Sequence, residues 1–418
     1  MLGLRANWQQ FTLLVIVNAF VGAMIGLERT VMPLIATRDF KVSSASAVMS
    51  FIMAFGLTKA LTNLFAGWLA DRRARRSSLI AGWLIAIPIP FLILLASSWS
   101  WIVAANALLG INQGLTWSAT VIMKIDLVGP RRRGLAMGLN EFAGYLALGI
   151  ASLASGLLAM QLGLRPASAY LGIAISLSGL LLSLFVRDTS QHVRLEATSR
   201  MNATHPGMRS ILKRSLWSDA GLFSASQAGL VNNLNDALAW GVFPILFITS
   251  GLSLRQSSFL VAIYPVVWGV AQLFTGAISD RAGRKPLIVA GMLLQSVALA
   301  AIAFVDTALG WGAGLSLLGL GTALVYPTLL AAIGDVADPA WRGSALGVYR
   351  LWRDLGYVFG ALAAGAIIDA SGMSTAIVVV GVLTGLSGML VMVRMPSLPI
   401  LTREVFGVSS LPATRLAV

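Results

Sequence analysis

The 418-residue chain contains no cysteine and only two histidines. Disulfides, thiolate nucleophiles and cysteine metal centres are therefore excluded. His192 and His205 both fall in one polar stretch midway along the chain, so no metal site is expected. Charge is also scarce, at 11% of residues against 57% apolar. With a mean hydropathy of +0.83, the chain has too little polar material to coat a soluble body and reads as a membrane protein. Acidic residues are the rarer sign, 16 against 30 Lys and Arg, giving a net charge of +14.

Apolar stretches of about 20 residues, the length that crosses a bilayer, recur almost end to end. They predict spans at 11–37, 45–70, 77–97, 99–128, 134–162 and 166–186, then 217–250, 255–279, 286–306, 308–336, 343–371 and 374–394. This is an all-α membrane protein of twelve transmembrane helices arranged as two six-helix repeats. The expected domains are an N-terminal bundle 1–186, a polar linker 187–215, a C-terminal bundle 216–394 and a tail 395–418. Met1 to Gln10 is short and polar and does not read as a cleavable signal peptide.

The basic residues have a pattern. Arg72, Arg73, Arg75, Arg76, Arg131, Arg132, Arg133, Arg281, Arg284 and Lys285 fall in loops on one side, with the basic linker. The other side offers Arg38, Lys41, Arg165 and Arg255. By the positive-inside rule both termini are cytoplasmic. The basic runs are topology signals, and no soluble domain is present to bind nucleic acid.

The two halves share a sequence at a fixed offset of half the 418 residues. Gly67-Trp-Leu-Ala-Asp71-Arg72-Arg-Ala-Arg75-Arg76 returns as Gly276-Ala-Ile-Ser-Asp280-Arg281-Ala-Gly-Arg284-Lys285. Gly82 returns as Gly291, Gly110 as Gly319, Asp126 as Asp335, and Pro130 with Gly134 as Pro339 with Gly343. Two like-oriented copies with a site between them is a transporter plan. The repeated glycines read as helix-packing positions.

On these loops the chain resembles the major facilitator superfamily, whose signature Gly-x-x-x-Asp-Arg-x-Gly-Arg-Lys stands here as Gly67–Arg76, with Ala74 for the usual Gly, and more fully as Gly276–Lys285. It looks nearest to bacterial permeases loosely grouped as sugar- or drug-efflux proteins. The resemblance implies two bundles rocking about a central path lined by helices 1, 4, 7 and 10. It also implies a cytoplasmic gating latch built here from Gly67, Asp71, Arg75, Arg133, Gly276, Asp280, Arg284 and Arg342. Ala74 is less suited than Gly to a left-handed turn, which weakens the first latch. The Gly-Pro motif usual in helix 5 of the efflux branch is missing, since Gly144 to Gly156 contains no Pro.

Ionisable groups inside the membrane each need a partner, water or a role. They are Glu28, Arg29, Lys59, Lys124, Glu141, Asp236, Arg350, Arg353 and Asp354, five bases against four acids. Pro33 and Pro244 weaken the backbone beside Glu28-Arg29 and beyond Asp236. Adjacent residues diverge by about 100° on a helix, so one of Glu28 and Arg29 should pair with another helix. Arg350 and Asp354 are spaced to pair along one face, leaving Arg353 as the surplus cation. Lys59 either snorkels or pairs with Asp354, and Lys124 is expected to snorkel. Asn112, Gln113, Trp117, Asn233, Trp240 and Tyr326 complete the expected lining. Trp99 and Trp101 read as interfacial anchors.

The leading expectation is a proton-coupled secondary transporter moving a small organic solute, with an organic anion or polar metabolite favoured by the surplus of bases. Glu28 and Asp236, then Glu141, are the proton candidates. The alternative is proton-driven efflux of drugs or amphipathic cations. A non-transporting sensor would want a soluble output domain, and no catalytic constellation suggests an enzyme or a cofactor. The expected partners are the lipid bilayer, the solute and protons. The expected setting is a monomer in a bacterial inner membrane.

Overall fold

The computed structural model describes residues 5–72, 75–128, 133–189, 207–337 and 341–397. Within these, the side chains at 66–72, 133–136, 277 and 342 lie outside the description. The helices of the N-terminal half are α1 (Trp8–Arg29, resuming as Met32–Leu34 and the π-turn Ile35–Asp39), α2 (Ala45–Val48 and Ser50–Arg72) and α3 (Arg75–Ala86 and Pro88–Leu95), followed by α4 (Trp99–Val128), α5 (Arg133–Leu162) and α6 (Leu164–Leu184). The C-terminal half has α7 (Ala220–Gly241 and Phe243–Thr249), α8 (Leu254–Ala282) and α9 (Arg284–Phe304), then α10 (Ala308–Val336), α11 (Arg342–Ser371) and α12 (Met373–Arg394). All twelve expected spans are present.

Ten of these helical stretches are apolar enough on their own to count as membrane spans. The two that fall short are α4 and α7, which carry Asn106, Asn112, Gln113 and Lys124, and Asn232, Asn233, Asn235 and Asp236. Both are nevertheless deeply buried. Their polarity is turned toward protein rather than lipid, where hydrogen-bonding partners exist.

The prolines break the helices where expected. α1 stops at Thr30 and restarts with Pro33 in its new first turn. α7 stops at Gly241 and restarts with Pro244 in the same position. Each break follows from a missing N–H and a ring that clashes with the preceding turn.

The repeat is legible in the packing. α2 lies on α4 and α8 on α10, α1 on α5 and α7 on α11, and α3 on α6 as α9 on α12. Gly110 admits the α2 backbone at Phe55, and its counterpart Gly319 admits that of α8, where an added methyl would lie 2.7 Å from the Tyr264 carbonyl oxygen. The halves meet along α2 with α11 and α5 with α8. Gly283, the counterpart of Ala74, has φ +89°, the conformation an alanine resists. Ala74 itself lies outside the described residues.

At the end of the bundle remote from the arginine-rich loops, the halves are locked. Asp369 at the end of α11 accepts from Ser44 Oγ at 2.8 Å and from the backbone N–H groups of Ala45 and Ser46 at 2.6 and 3.0 Å. At the arginine-rich end a cavity of about 500 Å³ parts α5 from α8 and α10, lined by Gly138, Glu141, Gln272, Gly276, Asp280 and Leu330 among others.

Candidate functional site

Three clusters of buried charge lie where the halves meet. In the first, Arg29 of α1 donates both guanidinium nitrogens to Asp236 of α7, at 2.5 and 2.8 Å. Tyr357 of α11 donates to the same carboxylate at 2.5 Å, and the Arg29 guanidinium sits 4.8 Å from the Trp240 ring centre. A two-pronged pair of this kind offsets desolvation that a single contact would not. Arg29 is therefore the member of its pair that reaches another helix.

Glu28 has the opposite surroundings. It is wholly buried, and neither carboxyl oxygen has a hydrogen-bond partner among the described residues. Its polar neighbour is Asn106 of α4, whose side-chain amide faces the carboxyl. That amide also donates to the Ile102 carbonyl at 3.1 Å, while the Asn106 Oδ1 is itself without a donor among the described residues.

The second cluster centres on Asp354. Its Oδ1 accepts from Arg353 Nε and Nη2 at 2.9 and 2.7 Å and from Asn233 at 3.4 Å. Lys59 Nζ stands 3.9 Å away, and Asn63 donates to Oδ2. Arg353 also donates to the Tyr326 hydroxyl. Two expectations are corrected here. Arg353 is not the surplus cation, and Arg350 does not pair with Asp354 along α11. The reason is that Lys59 and Asn63 of α2 meet Asp354 from across the interface. Arg350 instead reaches Ser118 of α4 at 3.3 Å and has no carboxylate within 4.0 Å among the described residues.

The third cluster is Glu141 of α5. Its Oε1 accepts from Trp117 at 3.1 Å and from Asn140 at 2.9 Å, while Oε2 has no partner among the described residues. A crevice with free space of only about 10 Å³ is lined by Lys59, Trp117, Glu141, Tyr326, Arg350 and Arg353. It adjoins the larger cavity, since Glu141 and Leu330 line both.

Asn112 and Gln113 do not join the lining. Asn112 donates to the Gly82 carbonyl at 2.9 Å, and Gln113 to that of Val21 at 2.9 Å. They tie α4 to α3 and α1 inside the N-terminal half. Lys124 does not snorkel: it is fully buried and donates to the Leu14 carbonyl at 3.1 Å. Trp99 donates to the Ala47 carbonyl and the Ser50 hydroxyl, both at 2.9 Å, and so ties the start of α4 to α2.

Two aromatic residues beside the crevice were not foreseen, Tyr145 in its lining and Trp268 behind it. Tyr145 of α5 stacks on Trp268 of α8 at 3.6 Å between ring centres, and both lie within 6 Å of Tyr326. In an apolar span nothing marks them out except the repeat, which sets Trp268 opposite Lys59.

For the gating residues, the side chains of Gly67, Asp71, Arg133 and Arg342 lie outside the described residues. Arg284 bonds Asp280 at 2.7 Å and Asp335 at 3.0 Å. Arg75 makes the corresponding pair with Asp126, which also accepts from Thr189 at 2.7 Å. Asp126 and Asp335 were visible in the repeat but had not been assigned a partner.

The Major Facilitator Superfamily model matches residues 13–233 and 226–410. The chain belongs to this family and is a secondary membrane transporter, not an enzyme. It is similar to the multidrug resistance protein MdtG of Enterobacter lignolyticus, 26% identical over 382 residues and covering 87% of each chain. The MdtG of Citrobacter koseri is 24% identical over 375 residues, covering 87% of this chain and 89% of its own. In fold it is similar to the human organic anion transporter MFSD10, with a TM-score of 0.67 at 17% identity, covering 92% of this chain and 99% of that one.

Proposed function

We propose that the protein is a monomeric, proton-coupled exporter of amphipathic organic solutes in a bacterial inner membrane. The positive-inside pattern assigns the arginine-rich end to the cytoplasm, so the cavity of about 500 Å³ opens inward and the Asp369 end is closed. Similarity to proteins named for multidrug resistance supports export of varied solutes, despite an α5 without Pro. The aromatic walls around Tyr145, Trp268 and Tyr326 suit an apolar body.

The observation that carries proton coupling is Glu28. A buried carboxylate whose polar company is a single side-chain amide costs several kcal/mol to keep ionised, so its proton occupancy follows hydration as the halves rock. Asp236 is committed to Arg29 and Tyr357, whereas Glu28 and the free edge of Glu141 are uncommitted.

The test uses proteoliposomes loaded with a fluorescent amphipathic drug. Glu28→Gln should abolish accumulation driven by a pH gradient while leaving drug–drug exchange intact. If this variant accumulates drug under the gradient as wild type does, Glu28 is not the coupling group.

A further inference from the structure

We propose that the central crevice recognises the anionic group of an organic monoanion with an aromatic or apolar body, and that Arg350 is its counter-ion. This rests on the reading of the protein as an exporter of amphipathic solutes and narrows its cargo.

The argument is one of charge and shape. Three cations line the crevice, Lys59, Arg350 and Arg353, with the carboxylate of Glu141. Asp354 lies directly behind and is already addressed by Arg353 and Lys59 together. Two carboxylates thus stand against three bases, and the base with no carboxylate within 4.0 Å among the described residues is Arg350. Its one hydrogen-bonding contact among the described residues is a serine hydroxyl at 3.3 Å. A half-buried guanidinium with no carboxylate in contact among the described residues has donors to spare, and a carboxylate or sulfonate supplies the two-pronged partner it lacks. A monoanion neutralises the site, while a monocation would leave it with two excess positive charges.

The remaining wall is aromatic. Trp117, Tyr145 and Tyr326 face the same crevice, and Tyr145 is backed by Trp268 at 3.6 Å. Rings meeting at 5.4–5.8 Å in tilted and edge-on arrangements leave faces on which a planar body can stack. In the present conformation the crevice is shut down to about 10 Å³. Cargo reaches it from the larger cavity past Glu141 and Leu330, the two residues common to both linings. The repeat sets Glu141 and Arg350 at equivalent positions of opposite charge. The cargo therefore meets a repelling carboxylate from one half and an attracting guanidinium from the other, which fixes which way its head group points.

The experiment measures binding to the purified full-length protein by tryptophan quenching, with 2-naphthoate, the neutral 2-naphthamide and the cationic 2-naphthylmethylamine. Naphthoate should bind at least tenfold more tightly than the other two. Arg350→Gln should lose that tenfold advantage with naphthamide binding unchanged, and Arg350→Lys should recover part of it, which separates recognition from misfolding. Equal binding of acid and amide, or equal weakening of all three probes by Arg350→Gln, overturns the proposal. Failure of the exporter reading looks different: naphthoate binds selectively but no pH gradient drives its transport.

Discussion

Asp369, on the last turn of α11, accepts a hydrogen bond from Ser44 at the start of α2, 2.8 Å away and across the interface between the halves. The same carboxylate takes the N–H groups of Ala45 and Ser46. α2 and α11 run antiparallel, so the acidic end of one meets the electropositive start of the other, a favourable arrangement. One turn earlier Gly365 lets the Ser46 backbone approach so closely that an added methyl would lie 2.7 Å from its Cα.

Opening that end of the protein must break these contacts. Asp369→Ala should raise the population open there several-fold relative to wild type. The absence of native cysteine makes the measurement direct, because spin labels at Leu162→Cys and Thr249→Cys report the distance between the two halves at this end. An unchanged distance distribution would show that the contact is not a clamp.

The pair of Arg29 and Asp236 gives a prediction about stability. Removing Arg29 leaves the fully buried Asp236 carboxylate with the Tyr357 hydroxyl but no counter-charge, and breaking a buried pair in this way costs about 3–5 kcal/mol. Arg29→Met alone should therefore lower the apparent unfolding temperature in detergent markedly. The double variant Arg29→Met with Asp236→Leu should regain much of the loss while transport stays defective. A double variant no more stable than the single would assign the loss to packing around Trp240 instead.

How much of this was legible beforehand depends on what kind of information each residue carries. The helix spans, the breaks at Pro33 and Pro244, and the glycine seats at Gly110 and Gly319 follow from local chemistry and from the repeat. That Arg29 or Glu28 must pair outside its helix follows from the angle between neighbours. Partner choice does not. The four-residue spacing of Arg350 and Asp354 suggests a pair on one helix, but Lys59, Asn63 and Asn233 arrive from other helices and Arg353 turns to the same carboxylate. The polarity of Asn112 and Gln113 signals burial against protein, not which face of α4 looks into the path. Their bonds to the carbonyls of Gly82 and Val21 are invisible to pattern.

Lys124 supplies a third prediction. It is completely buried, and the hydrogen bond given for it is to a backbone carbonyl. A buried amine whose given acceptor is one backbone carbonyl carries a desolvation cost that an apolar side chain of similar length does not. Lys124→Met should raise the apparent unfolding temperature without altering the assembly of α1 against α4. A fall in that temperature would mean that the ammonium is held by more than the Leu14 carbonyl.

The duplicated braces should be unequal. Arg75 with Asp126 and Arg284 with Asp335 occupy equivalent positions in the two copies, yet their burial differs. The first pair's side chains are 9% and 10% exposed, the second pair's 19% and 43%. Water and ions screen the more open pair, and exposed pairs contribute about 0–1 kcal/mol. Breaking the buried one removes a carboxylate from a pair that water screens little, which costs more than breaking an exposed pair, and it also disturbs the bond that Thr189 donates to Asp126. Asp126→Asn should therefore destabilise the protein clearly more than Asp335→Asn, and raised salt should shrink only the effect at Asp335. Thermal unfolding of both variants in detergent, at low and high ionic strength and one fixed heating rate, decides the matter. Equal losses at the two sites, or equal salt dependence, would show that burial does not set the strength of the brace.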